Sequence, residues 1–305
     1  MTANDRKTSS TIGTTGGSPG GTSSGTPPGA RIAWPLRAWF GVEVFFAATA
    51  TGSVALRPAD TANSFAWTIR PEVMAALIGS FYAALAPVVI LALFARRWEG
   101  VRVFVLPGAA FTFTQLVVTF LYWDRFAIGT VPFWIWFASY LLPPPVFLGC
   151  YLWQERQARR AGSDIAARPG AFASSPLAPW VRRGLLAFGG LYTLEALAGL
   201  ATPQFFSAWA PWKITPLNAR ALSGYFLLLG LLLLSAAREN DRDRARLIAP
   251  FLILLLPIVA VQVLRYSEQV DWSHPRVWIA AVLLSGAAAL GVVLSRGSWR
   301  QTLGR

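Results

Sequence analysis

Eight stretches of roughly twenty apolar residues, each nearly free of charge, constrain this chain more than any other feature in it. They fall at about 36–57, 72–95, 101–122, 132–153, 181–201, 217–237, 245–265 and 276–295. Each is long enough to cross the hydrocarbon core of a bilayer as a helix and about twice the length of a membrane strand. The residues are 54% apolar and only 13% charged, in keeping with burial in lipid. The expected fold class is an all-α integral membrane protein with eight transmembrane helices.

The net charge of +13 raises the question of a nucleic-acid partner. With the stretches drawn alternately across the membrane, however, 20 of the 27 basic residues fall on the side that carries both ends of the chain, against seven of the 14 acids. That asymmetry is the positive-inside pattern, and it predicts both termini in the cytoplasm and residence in the cell membrane. The basicity then reports topology and argues against nucleic acid, leaving the lipid bilayer as the one partner the sequence indicates.

An internal repeat organises the eight spans. Trp67, Ile69, Pro71 and Gly79 recur as Trp212, Ile214, Pro216 and Gly224 at a constant offset of 145. Seven of the fifteen positions in the window 67–81 are identical at that offset, where ordinary residue frequencies give about one. The chain therefore reads as two tandem four-helix copies. Because four is even, both copies insert the same way up, so their pseudo-twofold axis runs along the membrane normal, unlike that of inverted-repeat transporters. The expected domains are a disordered cytoplasmic tail at 1–30, repeat one at 31–153, a cytoplasmic linker at 154–180, repeat two at 181–296 and a cytoplasmic tail at 297–305. The bland reading of the repeated stretch is architecture at the outer interface: Pro opens a helix, Thr215 caps one, Trp prefers the membrane boundary, and Gly79 and Gly224 admit close helix packing. A paired ligand-contact site is the functional alternative.

Chemistry must come from polar groups inside the spans, which are costly there. Glu43 and Glu195 are not repeat mates, since the position 145 before Glu195 is Ala50. Arg220 lies near the depth of Glu195 in the hairpin of the fifth and sixth spans, which predicts an ion pair, either structural or serving a solute or proton. Gln115 and Gln262 each precede an aspartate by nine residues, and a buried amide of this kind bonds helix to helix more readily than it binds a solute. Pro143, Pro144 and Pro145 interrupt the fourth span in the first copy alone and must kink or break it, as packing or as part of a cavity. The arginine- and acid-rich turn Arg238 to Arg246 reads as solvated, and Arg96, Arg97 and Arg102 read as topology anchors.

One cysteine, Cys150, and one histidine, His274, leave nothing for a disulfide framework or a His/Cys metal cluster, so neither metal nor cofactor is expected. The chain has no Walker loop, nucleophile elbow or His-Glu-x-x-His motif. At Trp67-Thr-Ile-Arg-Pro71 and Trp212-Lys-Ile-Thr-Pro-Leu-Asn-Ala-Arg220 the sequence resembles bacterial multi-pass membrane proteins of uncharacterised activity. The resemblance covers residues about 35–295 and implies a membrane fold and no activity. Three functions follow in order: movement of a small solute, ion or lipid along the interface between copies; a structural or interaction subunit; and an enzyme on a lipid-linked substrate using Asp60, Glu72, Asp124 or Asp271.

Overall fold

The structure, a computed structural model, describes residues 31–160, 175–297 and 299. The tail at 1–30 and most of the linker and C-terminal tail lie outside the described residues. Among the described residues eight helices are long and apolar enough to span a bilayer: α1 (Trp34–Ala55), α2 (Glu72–Phe94), α3 (Trp98–Leu121), α4 (Val131–Arg160), α5 (Pro179–Ala201), α6 (Pro216–Glu239), α7 (Arg242–Arg265) and α8 (Pro275–Ser295). Among the described residues there is no strand, only two isolated bridges, Arg31 to Arg97 and Pro176 to Asp241.

Local chemistry sets the helix ends. Pro35, Pro132, Pro179, Pro216 and Pro275 occupy first-turn positions, where a missing N–H costs nothing. The Thr130 and Thr215 hydroxyls accept from Phe133 N and Asn218 N at 3.3 and 3.2 Å, capping α4 and α6. Pro71 departs from its expected place: it sits just before α2 as the cap, and the helix begins at Glu72. Asn240 ends α6 in the left-handed conformation, φ 49°.

In cross-section the helices close a ring in the order α1, α2, α7, α8, α5, α6, α3, α4 and back to α1. Consecutive helices α2 and α3 are joined by a short turn, yet α2 packs along α7 and α3 along α6. The helices α2 and α6 also meet across the ring and divide it into two lobes. Their meeting surface is filled by aromatic rings, with Phe81 at 5.2 Å from Tyr225 and 6.0 Å from Phe226, and Tyr82 at 5.5 Å from Tyr225. The lightest packing in the ring is between α1 and α4 and between α5 and α8.

Irregular geometry interrupts α1, α4 and α7, the last by a 3₁₀ turn at Arg246–Ile248. The last turn of α1, Thr51–Ala55, is π-helical, and the hydroxyls of Thr51 and Ser53 bond back to Ala47 O and Thr49 O at 2.7 and 2.9 Å. In α4 the proline run divides two helical segments, Val131–Leu141 and Pro143–Arg160, at Leu142. The second segment continues through Gln154 and Glu155, which are buried, to Arg160.

Candidate functional site

Each lobe holds a cavity. The first, of about 340 Å³, lies between α1, α2, α3 and α4 with Leu228 of α6 behind it. Helical spacing puts Glu43, Phe46, Ala47 and Ala50 of α1 on one face, and all four line the cavity. Glu43 accepts a hydrogen bond from Trp39 Nε1 at 2.9 Å, one turn earlier, and no cationic side chain among the described residues pairs with it. Across the cavity the hydroxyls of Tyr82 and Tyr140 are 2.5 Å apart. Toward the end of the bundle that carries the termini, Phe40, Phe104 and Phe147 close the floor, with ring centroids 6.1–6.2 Å apart and all three side chains buried. At the other end the mouth is formed by Arg57, Ser64 and Phe65.

The proline run borders this cavity without lining it. Pro143, Pro144 and Pro145 have no N–H to offer the carbonyls of Ser139, Tyr140 and Leu141. Ser139 and Tyr140, two of the three residues whose carbonyls lose a helical donor, line the cavity.

The second cavity, of about 300 Å³, occupies the other lobe between α2, α5, α6, α7 and α8. Its walls are largely apolar, and Glu195, Arg276, Tyr192 and Trp212 line it together with Trp272 and Trp278, whose indole N–H groups donate to Ser267 O and Trp272 O. Glu195 is ion-paired here, but with Arg276 of α8 and not with Arg220. Similar depth did bring Arg220 close to α5, yet its Nε is used to cap that helix at Leu200 O, 3.0 Å away. Its guanidinium then stacks over Tyr122 of the α3 end, 5.5 Å from the ring centre, and donates to the Tyr122 hydroxyl. Depth alone does not decide a pair, because α6 is shared between α5 and α3 and Arg220 has partners on both.

The repeated stretch is put to unequal use. Trp67 is buried among protein side chains: its ring contacts Phe65, Phe126 and Trp136 at 4.8, 5.2 and 4.7 Å, and Nε1 donates to Asn218 Oδ1 at 3.0 Å. Its mate Trp212 borders the second cavity, and its Nε1 has no partner among the described residues. Ile69 is fully buried, whereas Ile214 lines that same cavity. Gly79 and Gly224 mark close approaches. A Cβ on Gly79 would fall 2.3 Å from Ala55 N in the π-helical turn, and one on Gly224 would fall 2.9 Å from Gln115 Nε2. The two glutamines tie helices together, Gln115 Nε2 donating to Ala221 O and Gln262 Nε2 to Ala55 O, each at 3.0 Å.

Sequence reasoning missed a buried ionic cluster at the end carrying the termini. Arg102 grips Glu239 with Nε and Nη2 at 2.9 and 2.7 Å and reaches Glu155 with Nη1 at 3.3 Å, while Trp98 Nε1 also donates to Glu155 at 2.9 Å. Arg244 adds a contact to Glu239 at 3.1 Å, and Arg246 one to Asp243 at 2.8 Å. The turn expected to be solvated is therefore enclosed in part: Asp241 and Arg246 are each 1% exposed and Glu239 is buried, while Arg238 is exposed. The available signal was Arg102 lying inside the apolar run of α3, with Glu155 and Glu239 near the ends of two other spans.

The loop carboxylates serve local structure. Asp60 accepts from Asn63 at 2.8 Å, Glu72 holds Arg70 and accepts from Gln269 Nε2 at 2.7 Å, and Asp124 pairs with Arg125 at 3.2 Å. Hydrogen bonds from the Ser273 hydroxyl and N–H, at 2.6 and 3.0 Å, hold the Asp271 carboxyl below the usual carboxylate range. Among the described residues no three His, Cys, Asp or Glu side chains cluster as metal ligands. No protein-family model, curated protein or solved structure matches the chain.

Proposed function

We propose that this protein binds and moves a small organic cation through the cavity of its first lobe. The observation that carries the reading is Glu43: a carboxylate within a membrane span, on the wall of a cavity of about 340 Å³, with no side-chain cation to offset it. An intramembrane carboxylate is costly unless something neutralises it, and here a ligand's positive charge or a proton completes the site. The aromatic faces of Phe111, Trp136 and Tyr140 around it suit a cation's apolar substituents. Arg57 lies at the exposed mouth, where water and salt screen its charge.

The route differs from the one sequence suggested. The interface between α2 and α6 is packed with rings, so movement along it is replaced by a cavity within one lobe. The reading keeps two tandem copies, inserted in the plasma membrane with both termini in the cytoplasm. Support for the copies comes from mated contacts: Ala127 N donates to Ala66 O and Asp271 N to Pro211 O, each at 2.8 Å, with acceptors 145 and donors 144 residues apart. The ring order is also unchanged when each of α1 to α4 is exchanged with its counterpart among α5 to α8.

The test is binding and flux of tetraphenylphosphonium, with purified protein in nanodiscs and then in proteoliposomes. Saturable binding that is lost in Glu43→Gln, while the variant stays folded, is the expected result. Binding that survives Glu43→Gln, or none by wild type, would overturn the cation reading, and binding without flux would leave a receptor or structural role.

A further inference from the structure

The second lobe carries a site that the Glu43 cavity does not account for. Tyr192 is 3% exposed, yet its hydroxyl has no hydrogen-bond partner among the described residues, and it faces a cavity of about 300 Å³. The Trp212 indole N–H, also buried and also without a partner, lies on the same cavity. A buried donor left unpaired costs free energy, and an indole N–H can only donate, so whatever fills this space must bring an acceptor. The charge balance narrows the acceptor further. Arg276, the cavity's cation, is already neutralised by Glu195, so an anionic head would compete with a buried carboxylate and a cationic one would meet Arg276. An uncharged oxygen fits. The depth of the cavity is apolar, formed by Leu77, Phe81, Phe226, Leu256 and Leu284, and its mouth is flanked by the exposed rings of Trp272 and Trp278. Tryptophans of this kind sit at the level of lipid head groups, so the entrance faces the membrane boundary.

We propose that the second-lobe cavity binds an uncharged, carbonyl-bearing lipid-like molecule, whose oxygen accepts from Trp212 and Tyr192 and whose apolar body lies between α2, α7 and α8. In the first lobe the same space is differently used. Trp67, the mate of Trp212, turns inward and is satisfied by Asn218, and Ala50 and Pro132 stand where the second lobe has Glu195 and Arg276. The two lobes thus present different chemistry on one scaffold, and this proposal stands independently of the cation reading.

The experiment uses four twelve-carbon probes that share a tail and differ in the head: methyl dodecanoate, dodecanoate, dodecylammonium and dodecane. Binding to the full-length protein in nanodiscs is read by native mass spectrometry and by the shift in melting temperature. Methyl dodecanoate should bind about tenfold more tightly than dodecane, the increment of one well-made hydrogen bond. In Trp212→Phe that preference should fall to about twofold or less, with dodecane binding unchanged. Ala280→Phe, which fills the cavity, should reduce both, and it serves as the check if Trp212→Phe does not fold. Equal binding of ester and alkane, tighter binding of either charged probe, or an ester preference that survives both variants would overturn the proposal.

Discussion

Arg102 and Glu239 face each other across α3 and α6 as a two-pronged ion pair, Nε to Oε1 at 2.9 Å and Nη2 to Oε2 at 2.7 Å, each side chain no more than 5% exposed. The planar guanidinium matches the carboxylate edge to edge, a fit that lysine cannot reproduce. Glu155 shares the same arginine, so removing that one cation takes away the charge between two buried carboxylates and leaves Glu239 with Arg244. Arg102→Ala should lower stability by about 3–5 kcal/mol, and Arg102→Lys by less but still measurably. Thermal unfolding followed by size-exclusion chromatography checks both, and a loss within error for Arg102→Ala would show that the cluster contributes little.

The pairing of Glu195 with Arg276 makes a double-mutant prediction. Glu195→Gln and Arg276→Gln should each destabilise, and together they should cost less than the sum of the two. A cycle between Glu195 and Arg220 should be additive, because Arg220 is committed to Leu200 O and Tyr122. Coupling in the second cycle and none in the first would restore the pair expected from depth alone.

At Gly79, any side chain collides with the backbone of Ala55, whose N lies 2.3 Å from the position a Cβ would take. Gly79→Val should therefore displace the π-helical turn of α1 and cost about 1–3 kcal/mol. Gly149 in α4 is the control, since a Cβ there meets nothing within 4 Å. Gly149→Ala should be neutral or stabilising by up to about 1 kcal/mol, because alanine is the better helix former. Equal effects at the two sites would argue against the close approach.

Trp67 and Asn218 join the loop before α2 to the first turn of α6 through a 3.0 Å hydrogen bond. Trp67→Phe keeps an aromatic ring but leaves the Asn218 oxygen buried without that donor, a loss of about 1–3 kcal/mol. At the mate, Trp212→Phe should be nearly silent for stability, since its N–H has no hydrogen-bond partner among the described residues. Reversal of this order in melting temperatures would contradict the burial pattern.

Much of the bundle is legible in the residues. Long apolar runs without charge have one physical solution in lipid, so the eight spans stand close to their expected bounds. The prolines of α4 had to interrupt it, because they lack the N–H a helix needs, and the chain does divide at Leu142. Other expectations failed where burial depended on distant chain. The turn from Arg238 to Arg246 looked solvated because charges usually face water, but α3 and α4 supply Arg102 and Glu155 to enclose part of it. Nor could the sequence show that Trp67 is covered by protein, since Phe65, Phe126 and Trp136 are brought around it by the fold.

By itself, then, the sequence determined how many helices among the described residues are long and apolar enough to cross a membrane, where they begin and bend, and which polar side chains they carry. Those features depend on hydrophobicity, hydrogen-bond donors and helix period, all of which are local. Only the tertiary structure decided that α2 packs on α7 and α3 on α6, that Glu195 meets Arg276, and that Glu43 faces a cavity and pairs with no cationic side chain among the described residues. These are contacts between segments far apart in the chain. Their geometry follows from which faces of eight similar apolar helices interlock, and apolar faces look alike until small residues such as Gly79 and Gly224 fix the approach.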